Sequence, residues 1–234
     1  MKRQPIFRWL IYLLGMILLA TGLTLNTKTG LGVSAIMGIP YVVSVLWEIN
    51  FGNATLVMYL LFIFAQMLLH CFLYSSRRTE LISLLVRDGL QLPLSLLFTR
   101  LMNGIAAWIP AFTDIAPDRN GFNLFLRILV LLLAVVLTGI GASLTLSMQL
   151  VPNPGDGIVK TFAQWREKPT GTMKNILDIF CVAVTLTLSL FFGGRIIGVG
   201  LGTVVAALGI GRVIFLFEKH CKKQLYALAG VNKT

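Results

Sequence analysis

Charge is scarce in this chain. Only 12% of its 234 residues are Asp, Glu, Lys or Arg, about half of what soluble domains carry. That shortage excludes an ordinary soluble enzyme and a disordered tail. Histidine occurs twice, as His70 and His220, and cysteine three times, as Cys71, Cys181 and Cys221, all far apart. A disulfide-built secreted module is therefore excluded, and no CxxC or Cys/His spacing points to a metal. There is no HExxH, no Ser/His/Asp set visible in the spacing and no run of carboxylates. The sequence points away from an enzyme and calls for no cofactor and no metal. The polar-apolar alternation of a lipid-facing β-barrel is missing too.

What is abundant is apolar: 56% of the chain is hydrophobic, and the mean hydropathy is +0.84. A spanning helix needs about 20 apolar residues. The expected fold is all-α: a single polytopic membrane domain over 1–234, with six transmembrane helices and two broken or re-entrant segments. The spacing of charges predicts spans near 9–27, 54–76, 89–111, 123–148, 174–193 and 196–217. The leader MKRQPIFR resembles a signal peptide. The following run lacks a small-x-small cleavage site and is long enough to span, so it is expected to stay as the first helix.

Two segments remain. Residues 30–50 are apolar but interrupted by Gly32, Gly38 and Pro40, and residues 152–171 carry Pro and Gly at both ends. Each is too short or too interrupted for a span.

The net charge of +11 is read as a topology signal, not as a nucleic-acid surface. With the amino terminus inside and six crossings, fifteen of the twenty basic residues fall on the inner side. Both termini are thus expected in the cytoplasm and 112–121 outside. The chain is expected in a bacterial cytoplasmic membrane, with the lipid bilayer as its partner. Its oligomeric state stays open.

Three spans separate the two leftover segments, so they should face opposite sides. GLTLNTKTGLGVSAIMG and SLTLSMQLVPNPGDGIVKT both run from an L-T-L strip through a polar link to G-x-G, roughly 120–125 residues apart. This predicts a 3+3 inverted repeat, residues about 1–105 and about 120–220. Such repeats with broken helices mark transporters and channels.

The stretches TGLGVSAIMGIPYVVS (29–44), LQLPLSLLFTRLMN (90–103) and VPNPGDGIVKTF (151–162) carry a resemblance to the YczE/YyaS/YitT group of bacterial integral membrane proteins, nearest its YczE-like branch. So do FGNATLVMYLLFIFAQMLL (51–69), MKNILDIF (173–180) and the Gly-rich 188–211. The resemblance covers nearly the whole chain. It implies a P-G-acid-G-x-x-K element at Gly155, Asp156, Gly157 and Lys160, with Lys174 and Asp178 opening the next helix. Gly200 and Leu201 stand where an Arg-Glu pair would be expected, and Ser34-Ala35 where many relatives have Ser-Pro. The group has no assigned function.

The candidate site residues are Gly30, Gly32, Ser34, Gly155, Asp156, Gly157, Lys160, Lys174 and Asp178. Open amides at a helix N-terminus suit an anion, and Asp156–Lys160 and Lys174–Asp178 are i,i+4 pairs. A helix cap for Asp156, interfacial anchoring for the lysines and a plain Lys174–Asp178 pair explain the same residues. Arg100, mid-span, is expected to face the bundle interior, while Arg127 and Arg195 can reach the outer surface. Gly198, Gly202 and Ala206 form a small-residue row for helix packing. The leading expectation is a transporter or channel for a small polar solute or ion. The alternative is an accessory or scaffold protein of a membrane or secretion complex.

Overall fold

The computed structural model describes residues 4–112 and 122–229. The expected outer segment 112–121 lies almost wholly outside them. Among the described residues eight helices follow in order: α1 (Gln4–Lys28), α2 (Ala35–Leu46), α3 (Phe51–Leu73), α4 (Arg78–Trp108), α5 (Phe122–Ser147), α6 (Pro154–Arg166), α7 (Thr170–Gly193) and α8 (Leu201–Ala229). Six of them, all but α2 and α6, are long and apolar enough to cross a membrane. The protein is an all-α polytopic membrane protein.

The boundaries of α4 and α8 differ most from the sequence expectation, and α8 runs on to Ala229, twelve residues past the predicted end. α4 begins at Arg78, eleven residues before the predicted start. Arg87 and Asp88 read as a loop boundary, yet charge does not break a helix, and the apolar residues of TELISLLVRDGL keep helical spacing. α8 begins at Leu201, because Gly194 and Gly198 sit at positive φ and hold the preceding stretch out of a helix. The leftover segments are each one short continuous helix. α2 has 12 residues and carries Pro40, and α6 has 13. Each is about 20 Å long, short of the roughly 30 Å hydrocarbon core. Asn153 sets the start of α6: its side chain accepts from Gly155 N at 3.0 Å, with Pro154 in the first helical turn.

Three pairs of helix ends share one spacing. α1 and α5 end at Lys28 and Ser147, α2 and α6 begin at Ala35 and Pro154, and α3 and α7 begin at Phe51 and Thr170, each pair 119 residues apart. The L-T-L strips, 121 apart, are thus two residues out of the register that the helices keep.

The chain divides into two compact units. The first holds α1, α5, α8 and the end of α4. Here Arg8 Nε, near the start of α1, donates to Met148 O just past α5 at 2.6 Å. Arg127 Nε, near the start of α5, donates to Thr29 O just past α1 at 2.6 Å. The helices are therefore antiparallel, and each arginine caps carbonyls that a helix end leaves without partners. Arg8 and Arg127, like Thr29 and Met148, are 119 apart. The contacts between the two helices exchange as well: Gly22 packs on Thr138 and Ala134 as Gly141 packs on Leu19 and Gly15.

The second unit holds α2, α3, most of α4, α6 and α7. α2 packs on α3 and α7, and α6 on α7 and α3. The same exchange holds here. Gly38 lies against Thr185 and Gly157 against Gln66, so closely that a Cβ would collide in both places. Ile36 Cδ1 covers Gly155, which lies 119 residues further along the chain.

Candidate functional site

The predicted site residues fall into both units. Gly30, Gly32 and Ser34 belong to the first, in the link between α1 and α2. Gly32 adopts φ +114, and its missing side chain lets the backbones of Gly200 and Gly202 approach. Val33 N donates to Gly198 O at 2.9 Å and Gly202 N to Leu31 O at 2.7 Å. The Gly-rich start of α8 is thus a packing surface, as the small-residue row implies, with Gly200 and Gly202 making the contacts. The Ser34 hydroxyl is buried without a partner.

Gly155, Asp156, Gly157 and Lys160 lie on α6, and Lys174 and Asp178 on α7, in the second unit. The amides offered to an anion are taken. Asn153 accepts from Gly155 N through its side chain, and its carbonyl accepts from Asp156 N and Gly157 N at 2.9 and 2.8 Å. Asp156 is partly buried. Burial pushes its carboxyl above the usual range, and Lys174 and Lys160 draw it back down. Lys174 Nζ sits 3.8 Å from Asp178 Oδ2, with half of the lysine side chain exposed. Arg100 is exposed, contrary to the expected interior placement. α4 is 31 residues long, about 46 Å, which leaves room for Arg100 to reach an interface. Arg127 turns to the Thr29 carbonyl instead of the surface, while Arg195 is exposed.

The chemistry of the second unit centres on residues that sequence reasoning passed over. His70 on α3 is not alone: its Nδ1 lies 2.7 Å from Asp88 Oδ2 on α4, and its Nε2 lies 3.2 Å from Thr161 Oγ1 on α6. Thr161 Oγ1 also reaches Gly157 O at 3.1 Å. Gln91, one turn after Asp88, donates to Asp88 Oδ1 at 3.3 Å and to Gln66 Oε1 at 3.1 Å. Gln66 donates to Pro154 O at 3.3 Å. The result is a closed ring that leaves α6 at Pro154, passes through α3 and α4, and returns at Thr161. Its five side chains are 1–5% exposed. Ser95, on the next turn of α4, is 2% exposed and its hydroxyl has no partner. Asp88, Gln91, Ser95 and Thr99 thus form a buried polar stripe about 16 Å long.

Thr161, His70 and Asp88 stand in the order of a nucleophile, a base and its orienting acid. Hydrolysis also needs an accessible nucleophile and free donors for an oxyanion. Thr161 is 3% exposed and sits inside α6, whose neighbouring amides are used within the helix. The arrangement serves better as a hydrogen-bond relay. The detectable signals were the i, i+3, i+7, i+11 spacing on α4 and the i, i+4 pair Gln66 and His70. They were hidden because 77–88 was read as a loop.

The chain belongs to DUF6198, a family of unknown function, which it matches over residues 6–219. No curated protein matches it, and no solved structure does.

Proposed function

We propose that this member of the family is a membrane transport protein for a small polar solute or ion, built as a 3+3 inverted repeat of residues about 1–105 and 120–220. The constant 119-residue spacing, the antiparallel α1–α5 pair and the exchanging contacts support the repeat. Two short helices set among long ones are the form in which inverted-repeat transporters build their sites. The proposal includes kinship with the YczE-like group, a place in the cytoplasmic membrane and both termini in the cytoplasm.

One observation carries the transport reading: the buried ring of Gln66, His70, Asp88, Gln91 and Thr161. A charged side chain at mid-membrane costs about 2.5–3.5 kcal/mol on insertion scales, and such residues mark solute and ion routes. The fold does not require this expense. At the register partners of Gln66, His70 and Thr161 the chain has Thr185, Ser189 and Val42. Thr185 and Ser189 satisfy themselves locally, on Cys181 O and Ile197 O. The ring's side chains thus lack equivalents at the register-related positions of α2 and α7, so the scaffold itself does not call for them. The unpartnered Ser95 hydroxyl extends the polar stripe and offers a solute a contact.

The test is a swelling assay on vesicles containing the full chain, under gradients of small polyols, sugars, amino acids and monovalent salts. At least one class should enter faster than into protein-free vesicles. Equal rates for every solute would leave the accessory role as the better reading.

A further inference from the structure

The His70 relay can make all of its contacts at once when it holds one more proton. With a neutral imidazole, the 2.7 Å contact to Asp88 uses the Nδ1 hydrogen. Nε2 is then an acceptor and needs the Thr161 hydroxyl hydrogen. That hydroxyl has a single hydrogen, and Gly157 O lies 3.1 Å away as its other taker. One of the two Thr161 contacts goes unmade. With a proton on Nε2, the ring donates to Asp88 through Nδ1 and to Thr161 Oγ1 through Nε2, and the hydroxyl turns its hydrogen to Gly157 O. All three contacts are then satisfied with no heavy atom displaced.

Charge points the same way. A neutral ring leaves the Asp88 carboxylate as a lone negative charge, 3% exposed, among apolar helices. A lone buried charge is far costlier than a paired one. Among the described residues the Gln91 amide is the other buried donor to Asp88, at 3.3 Å, and that amide carries no charge. Arg87, next to Asp88, is exposed, and so is Lys160, beside Thr161 on α6. On α3 the ring of Tyr74 stands edge-on to His70 at 6.3 Å. The titratable side chain of α2, Tyr41, rests against Phe51.

We propose that His70, Asp88 and Thr161 form a reversible proton-binding site, and that the proton is the second ion of the transport cycle. Protonation takes one H⁺ from water onto His70 Nε2, the Thr161 hydrogen swings from Nε2 to Gly157 O, and the cluster goes from a net charge of −1 to zero. No other bond forms or breaks. Gly157 and Pro154 belong to the first turn of α6, and both carbonyls face this ring, so the state of His70 is felt at the start of the short helix. The coupling to solute rests on the transport reading; the proton site itself does not.

The test needs no solute. Full-length protein carrying His220→Gln and labelled with ¹⁵N-histidine presents one imidazole to nuclear magnetic resonance. Spectra are recorded from about pH 5 to about pH 9, and the ring is expected to carry hydrogen on both nitrogens at the acid end and on one at the other. Thr161→Val, which removes the acceptor, should weaken proton binding about tenfold, and Thr161→Ser should restore it. A ring that holds one protonation state throughout that range overturns the site, as does a Thr161→Val protein with the transition of the parent. If the solute permeability of vesicles persists while His70 does not titrate, the proton falls and the transport reading stands. If His70 titrates in a protein that moves no solute, the site stands and transport falls.

Discussion

Gly157 meets the Gln66 amide so closely that no side chain fits between α6 and α3. Gly157→Ala should therefore cost about 1–3 kcal/mol, the usual effect of overpacking, and displace one end of the polar ring. Gly89, on α4, faces open space. Gly89→Ala should be neutral or up to about 1 kcal/mol stabilising, since alanine is the better helix former. Thermal unfolding midpoints in detergent would separate the two. Asp156 offers a pH-dependent counterpart. Its carboxyl is raised, chiefly by burial, so the folded state holds a proton that the unfolded chain has already released. The group is least harmful below the ordinary carboxylate range, and stability is lost as pH rises through its folded value. Asp156→Asn should raise the unfolding midpoint at pH 7, with the gain vanishing towards about pH 4. An equal effect at both pH values would contradict the assignment. At this scale the sequence was half legible. The P-G-D-G element drew attention to α6, but Asn153, which satisfies its amides, and His70, which looks solitary in the chain, take meaning only from partners distant in sequence.

The helix ends are where the two halves declare their likeness. Arg8 and Arg127 cap each other's helix with the same atom at the same distance. Charge-assisted hydrogen bonds of this kind contribute about 1.5–3 kcal/mol. Arg8→Ala and Arg127→Ala should each lower stability by an amount in that range, and by comparable amounts because the geometry is shared. A loss at one arginine and none at the other, read from denaturation midpoints, would argue against equivalent roles. The Lys174–Asp178 pair, with its lysine exposed and its carboxylate half-buried, differs: Lys174→Met should change stability by less than about 1 kcal/mol. Helix existence was readable from apolar runs, since lipid demands long uncharged stretches. Boundaries were not. α4 keeps Asp88 inside the helix, where its pairing with His70 makes a buried charge tolerable, and a rule that ends spans at charges must misplace it. Arg127 shows the same limit, because a carbonyl left over at the end of α1 is invisible in the sequence around position 127.

For the whole molecule, the positive-inside bias and the repeat make one linked statement about orientation. In a background with the native cysteines replaced, Arg195→Cys should react with an impermeant thiol reagent from outside intact cells. Lys223→Cys should react only after permeabilisation. The reverse pattern would invert the topology. The six spans were legible in the sequence, because lipid demands long apolar runs. The 119-residue register was not, since few side chains are shared and the similar strips lie two residues out of step. The polar ring was legible least of all, being assembled from three helices of which only one drew notice.

The central claim is that the buried polar ring where α6 meets α3 and α4 serves solute passage. The most direct measurement compares solute entry into vesicles containing the wild-type chain, Gln66→Leu or Thr185→Val. Gln66 and Thr185 are register partners facing Gly157 and Gly38 in the same way. The account predicts that Gln66→Leu abolishes entry while Thr185→Val leaves it near the wild-type rate, with both proteins folded by size-exclusion profile. Equal effects of the two substitutions, or no entry above empty vesicles for the wild type, would contradict it.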